Sequence, residues 1–183
     1  MSEISSNIST LEINDDKAIL TLNNGPKNLL SIPEFFSLDL LKETIEANPG
    51  HKALIITGAG RHISHGADTS KFSPEGLSEI PESLKKSREL LNYIESLPLV
   101  TVAAVNGGCF GGGMEVAMCC QFRVCNRSAV FALPETSIGV IPGMSGVERL
   151  TRLVGKSKAI SLVLSGNMIS ASEAPSATVC SKG

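Results

Sequence analysis

Two glutamates, Glu115 and Glu135, stand twenty residues apart, each where a carboxylate can move protons. Glu115 follows the run Asn106-Gly107-Gly108-Cys109-Phe110-Gly111-Gly112-Gly113, which opens a helix, and Glu135 follows the apolar segment Phe131-Ala132-Leu133-Pro134. Glycines leave backbone N–H groups bare at a strand end, and the first turn of a helix adds unpaired N–H groups and a positive dipole end. Such a loop suits an oxyanion, and paired carboxylates suit general acid–base chemistry. By itself each glutamate also reads as an ordinary acid, Glu115 complementing the helix dipole and Glu135 lying in a solvated loop.

Other chemistries fail on detail. The glycine run lacks the Gly-x-Gly-x-x-Gly spacing and the later acidic residue of a dinucleotide site, and no Gly-Lys-Ser/Thr follows it to make a phosphate loop. Gly143-Met144-Ser145-Gly146 is not a Gly-x-Ser-x-Gly nucleophile elbow and has no strand directly before it. The five cysteines are odd in number and two, Cys119 and Cys120, are adjacent, which argues against a disulfide framework. Cys119, Cys120 and Cys125 lack zinc-knuckle spacing and a nearby histidine, so they read as small buried apolar residues and no metal is expected.

The 183 residues are 42% hydrophobic, 19% charged and 4% aromatic, the composition of a globular chain with one core, and a single domain over 1–183 is expected. A net charge of −2 gives no basic field, and the absence of Trp with only one Tyr gives no stacking platform, so nucleic acid is not an expected partner. The uncharged stretch 97–114 contains Pro98, Asn106 and five glycines and is not written as a bilayer helix. The opening Met-Ser-Glu-Ile-Ser-Ser-Asn has neither a basic nor an apolar secretory region, which reads as a cytoplasmic protein without membrane association.

The elements that must position the glutamates follow from hydrophobic period, which switches repeatedly between about 2 and about 3.6. Ile8–Ile13 and Lys17–Leu22 alternate like paired strands around Asn14-Asp15-Asp16. Pro33 to Ala47 predicts a helix with Phe36, Leu40, Leu41 and Ile45 on one side and Ser31 or Ile32 at its start. A strand over Ala53–Thr57 leads into a loop through Asp68 and a stretch of low order to Pro81. The pattern then predicts a helix over Glu82–Leu97, a strand over Leu99–Val105, the glycine loop 107–113 and a helix at Met114–Cys119. Short strands at Phe122–Cys125 and Ala129–Leu133 and helices near Ser145–Val154 and Lys156–Leu164 follow. Strand–strand–helix recurs without an exact repeat, an α/β arrangement.

The ordered series Val102-Ala103-Ala104-Val105-Asn106-Gly107, Gly111-Gly112-Gly113-Met114-Glu115, Phe131-x-x-Pro134-Glu135-x-x-Ile138-Gly139-x-Ile141-Pro142-Gly143 and Arg149-Leu150-Thr151-Arg152-Leu153-Val154-Gly155 strongly resembles the crotonase superfamily, enoyl-CoA hydratases in particular. Ile56-Thr57-Gly58-x-Gly60-Arg61 with Gly66-Ala67-Asp68 is similar to the family's first oxyanion loop, and Pro26-Lys27-Asn28-Leu29 to its CoA-contacting segment. The resemblance covers about residues 8 to 173. It implies a spiral of strand–strand–helix units holding an acyl-CoA thioester, whose carbonyl oxygen meets the backbone N–H groups of Ala67 and Gly112. It further implies water held between Glu115, the base for C3, and Glu135, the acid for C2. Lys27, Asn28, Leu29, Gly66, Asp68 and Gly111 are implied to line the substrate. Both glutamates are present, which favours hydration over isomerisation, in which the family typically keeps only the carboxylate matching Glu135. Other acyl-CoA reactions, or a non-catalytic acyl-CoA-binding or interaction protein, are the alternatives. No cofactor is implied, since CoA belongs to the substrate, and a homotrimer or hexamer is.

Some positions depart from the family pattern. His62 and His65 replace small or aromatic residues and read as exposed loop histidines, or, for His65, as a residue tuning the acyl pocket. Gln121 stands where Asp is common, which suggests an altered contact behind the site. The C-terminal helical and trimerisation segment is expected to be largely absent, the chain stopping at Gly183. Ser170-Ala171-Ser172-Glu173 forms a capping box, but Pro175 lies inside the helix it should start and Thr178 occupies a left-handed helix end.

Overall fold

Alternating burial defines the first strands. In β2 (Ser9–Ile13) and β3 (Lys17–Leu22), Leu11, Ile13, Ala18, Leu20 and Leu22 face inward while their neighbours face outward, as a period of two requires. The computed structural model describes residues 2–6, 8–30, 35–71 and 80–174. A short strand β1 (Ser2–Ser5) pairs antiparallel with β2, and β2 pairs antiparallel with β3.

From β3 onward the pairing in the six-stranded sheet is parallel: β3 with β4 (Ala53–Gly58), β4 with β5 (Val100–Val105), and β5 with β7 (Phe122–Cys125). Parallel neighbours need crossovers, and α1 (Leu38–Ala47), α2 (Ile80–Ser96) and α3 (Gly112–Cys119) supply them. A second sheet pairs β6 (Gly108–Phe110) parallel with β8 (Val130–Ala132), and β8 antiparallel with β9 (Ile169–Ser170). The chain steps from β5 directly into β6 and then α3, and from β7 into β8. These are successive strand–strand–helix units of an α/β spiral, followed by α4 (Gly146–Val154) and α5 (Lys156–Ser165).

Three expectations change. Helix α1 starts at Leu38 instead of Pro33. Ser37 is its cap, the Oγ accepting from Leu40 N–H at 3.3 Å, and Phe36 is buried just before the cap, so the apolar period runs on past the start of the helix. Ser31, Ile32 and Pro33 lie outside the described residues, as do Pro175 and Thr178. Residues 108–110, read as loop because glycine is depleted in strands, form β6 through register with Val130, Phe131 and Ala132. The stretch after Asp68 begins with a 3-10 turn, Thr69–Lys71. At the other end, Glu173 Oε2 accepts from Ser170 N–H at 3.0 Å, the expected capping contact.

One core runs through the molecule, with Phe35, Phe36, Leu41, Leu54, Ile56, Leu90, Ile94, Phe131 and Leu150 at its centre. Cys109, Cys119 and Cys120 are buried within it. Among the described residues no helix is long and apolar enough to cross a membrane. Ser37→Ala removes the α1 cap and is expected to lower the unfolding free energy by about 1 kcal/mol, seen as a lower urea midpoint at unchanged slope. An unmoved midpoint would show that α1 is held by packing alone.

Candidate active site

Strands β4 and β5 end side by side, and the loops leaving them are tied by side-chain amides. Asn106 donates from Nδ2 to Gly58 O and Gly60 O, both at 2.8 Å, and Asn126 donates to Asn106 O at 2.7 Å. Asn28, buried and at φ 47°, donates to Ala59 O at 2.9 Å and His62 O at 2.8 Å and accepts from Asn24 N–H at 3.0 Å. Ser64 Oγ donates to Asn28 O at 2.7 Å and accepts from Gly66 N–H at 3.0 Å. The chain is thereby fixed up to Gly66.

Gly66 sits at φ +83°, and a Cβ there would lie 2.7 Å from Phe110 O and 3.1 Å from Gly112 N, so only glycine allows the first loop to touch the start of α3. Leu30 forms a parallel bridge with Ala67 by donating to Gly66 O at 2.9 Å and accepting from Asp68 N–H at 3.3 Å. That pattern turns the N–H of Ala67 away from Leu30. Gly112 is the first residue of α3, whose cap Gly111 offers no side chain. Among the described residues neither N–H has an acceptor. Two free donors therefore stand on loops in direct contact.

The carboxylates lie beside them. Glu115, 2% exposed, accepts at one oxygen, Oε1, from Met144 N–H and Gly146 N–H, both at 2.7 Å. Glu135 begins the 3-10 turn Glu135–Ile138 after β8. Pairing of Phe110 with Ala132, extended by Gly111 N–H donating to Ala132 O at 2.9 Å, carries that turn over Gly111, whose Cβ position is 3.1 Å from Glu135 Oε1. Glu135 Oε2 is buried without a hydrogen-bond partner among the described residues. Burial, and next the charge of Glu135, push the Glu115 carboxyl up to about 7 against the two N–H donors and Arg149. Burial also raises Glu135. Each carboxyl therefore keeps its proton to a higher pH than an ordinary glutamate does.

The remaining predicted residues divide. Lys27 is exposed and Leu29 half-buried, whereas the Asn28 amide is committed to the 59–62 loop. Asp68 Oδ1 caps the following turn, accepting from Ser70 N–H at 3.2 Å. His62 and His65 are half-buried instead of exposed. Their rings meet edge-on with centroids 4.5 Å apart, His65 meets Phe110 at 4.9 Å, and His62 Nδ1 accepts from Gly108 N–H at 2.9 Å. Gln121 joins the end of α3 to the start of β5, its N–H donating to Thr101 Oγ1 at 2.8 Å. Sequence reasoning missed the 144–146 loop, whose pattern was weighed only as a nucleophile elbow. It also gave no role to Arg149, fully buried on an otherwise amphipathic helix, whose charge between Val147 and Leu150 was the available signal. A separate cleft of about 210 Å³ lies between the end of α3 and α4, lined by Glu95, Cys119, Arg123 and Arg152, and holds neither glutamate. No group of three metal-ligating side chains occurs among the described residues.

A family model described as enoyl-CoA hydratase/isomerase matches residues 12–182. A Bacillus subtilis (strain 168) protein named "Probable enoyl-CoA hydratase" is 38% identical over 169 residues, covering 92% of this chain and 66% of its own length. The chain thus spans just under two thirds of that relative. Among solved structures, Pseudomonas aeruginosa DspI superposes with a TM-score of 0.85 at 29% identity, over 96% of this chain and 72% of that one. The enoyl-CoA hydratase of Bacillus anthracis gives 0.84 at 29% identity, over 95% and 69%.

Burial, the His62 ring and the Lys27 ammonium together lower the pKa of His65 below its ordinary value. The unfolded chain then protonates first as pH falls, so the stability linked to His65 is complete above its ordinary range and declines below it. Glu115 acts in the opposite sense, and comparison with His65→Phe removes that common contribution. Between about pH 7.5 and about pH 5.5 the thermal midpoint of the native protein is expected to fall further than that of His65→Phe. Equal declines would show that His65 is not held neutral.

Proposed function

The chain belongs to the enoyl-CoA hydratase/isomerase family, and from that premise we propose that it adds water across a 2-enoyl-CoA thioester. The observation that carries the proposal is the juxtaposition of the buried carboxyl of Glu115 and the half-buried one of Glu135, both raised by burial, with the N–H groups of Ala67 and Gly112, which have no acceptor among the described residues. Hydration requires both parts. Glu115, ionised, takes a proton from water as the oxygen attacks C3. The displaced π electrons move to the thioester oxygen, where the two N–H groups stabilise the enolate by a few kcal/mol. Glu135, protonated, then delivers its proton to C2. A base with a pKa near the working pH combines a useful ionised fraction with proton-accepting strength.

The exposed Lys27, with Leu29, Gly66, Asp68 and Gly111 nearby, is proposed to meet the CoA portion, Asn28 acting by holding the loop. CoA arrives with the substrate, and the scheme needs no other cofactor. Isomerisation of a 3-enoyl-CoA is the second reading, supported by the buried, partnerless oxygen of Glu135, which one proton could leave and re-enter.

Self-association belongs to the same proposal. Ile138, Ile141, Ile160, Leu164 and Met168 are exposed around the Glu135 turn and α5, and Ile141 is 71% exposed. A patch of that kind marks an interface more often than a free surface. Trimers, or dimers of trimers, are expected at micromolar concentration by light scattering; a fully active monomer would remove this part of the proposal.

Purified protein should consume the conjugated thioester absorbance of a short 2-enoyl-CoA. Glu115→Gln and Glu135→Gln are each expected to reduce turnover by about 100-fold or more while acyl-CoA binding stays within a few-fold. Protonation of Glu115 removes the base, so kcat/KM should fall as pH drops through about 7. Near-native turnover in either variant would overturn the two-glutamate scheme, and turnover of 3-enoyl-CoA alone would select the second reading.

A further inference from the structure

We propose that Arg149, anchored by Asn92 and Glu95 of α2, is a positioning residue that holds the 144–146 loop in the one shape that grips Glu115. The inference rests on Glu115 being the base. Met144 joins the two halves of the arrangement: its N–H donates to Glu115 Oε1 at 2.7 Å, and its carbonyl accepts from Arg149 Nη1 at 2.6 Å. The guanidinium is then fixed on its other edges, Nε to Glu95 Oε2 at 3.0 Å and Nη2 to Asn92 Oδ1 at 2.8 Å. Its side chain is 1% exposed, and the contact to Met144 O is buried while those to Glu95 and Asn92 are partly so.

The loop needs an external clamp. Ser145 adopts φ 67°, a left-handed conformation unfavourable for a residue with a side chain, and makes no side-chain cap to α4. Gly146 follows because a Cβ there would stand 2.7 Å from Glu115 Oε1. The loop therefore wraps the carboxylate closely in a strained conformation, and relaxation of Ser145 would swing both N–H donors away. Arg149 opposes that relaxation by holding the carbonyl next to Ser145 from a rigid, planar fork. Asn92 and Glu95 keep the fork from following the loop.

The charges facing Glu115 come from Glu135 on the turn after β8 and Arg149 on α4. Glu95 neutralises Arg149, with Arg152 Nη1 on its second oxygen at 3.0 Å, and the Cys119 thiol beside them stays protonated through burial. Arg149 thus acts on Glu115 by position and by charge, and the two can be varied separately. Arg149→Met removes both. Glu95→Gln keeps a hydrogen-bond acceptor for Nε while removing the neutralising charge.

The test follows the Glu115 carboxyl by carbon-13 NMR in protein carrying labelled glutamate, assigned by its absence in Glu115→Gln, together with kcat and KM. Arg149→Met is expected to move the Glu115 titration upward, with the acid limb of kcat/KM following, and to lower kcat about 10-fold or more with KM within a few-fold. Glu95→Gln is expected to move the titration downward. Shifts of opposite sign would not arise from loosened packing alone. If Arg149→Met does not fold, Glu95→Gln and Asn92→Ala decide, because both retain the guanidinium. A Glu115 titration unmoved in every folded variant overturns the inference. A protein that hydrates no enoyl-CoA but shows the NMR shifts would instead refute only the proposed reaction.

Discussion

A carboxylate taken out of water must be compensated locally, since an isolated buried charge costs several kcal/mol even after the protein relaxes. Glu115 is 2% exposed, and its compensation comes from two backbone N–H groups on a loop 29 and 31 residues further along the chain. Much of the surrounding architecture serves that contact. Helix α3 presents the glutamate in its first turn, α4 begins at the loop that receives it, and α2 braces the loop through Arg149. The compensation is incomplete, since burial still outweighs the donors and lifts the carboxyl to about 7. Partial compensation is what leaves the group able to exchange a proton near neutrality.

A second requirement is close approach of backbones. The first loop reaches the start of α3 only because Gly66 has no Cβ, and the N–H groups of Ala67 and Gly112 have no acceptor among the described residues. Asn28, Asn106 and Ser64 hydrogen-bond to several of the loop's backbone groups and tie together a corner that contains little regular structure. Preorganised donors of this kind need no rearrangement when charge develops beside them. The histidine pair contributes by packing, with His65 against Phe110 and His62 accepting from β6, which links the same two loops from behind.

The sequence by itself determined the strand–strand–helix order, the paired glutamates and the two glycine-bearing loops. Those features depend on local properties: hydrophobic period, glycine's conformational freedom and the spacing of residue types. Alternation in Ile8–Ile13 and Lys17–Leu22 placed β2 and β3 closely, because one face of each strand is buried and the other is not. The polar strand β1 and the two-residue β9 carry no such period, and β6 was concealed by its glycine. The start of α1 was misplaced because Phe36, buried ahead of the cap, continues the helix's apolar stripe.

Only the tertiary structure decided what holds the site. Glu115 meets Met144 and Gly146, Arg149 meets Asn92 and Glu95, and Glu135 reaches Gly111 by strand register, all across separations of 24 residues or more. No local pattern encodes such contacts, because the backbone N–H and C=O groups that make them are present at nearly every residue and acquire a role only through placement. The same holds for side chains. Asn28 and Asp68 have the chemistry to bind a ligand, yet packing directs their hydrogen bonds into the loops that carry them. Residue type fixed what chemistry was available, and the fold fixed which groups were left free to perform it.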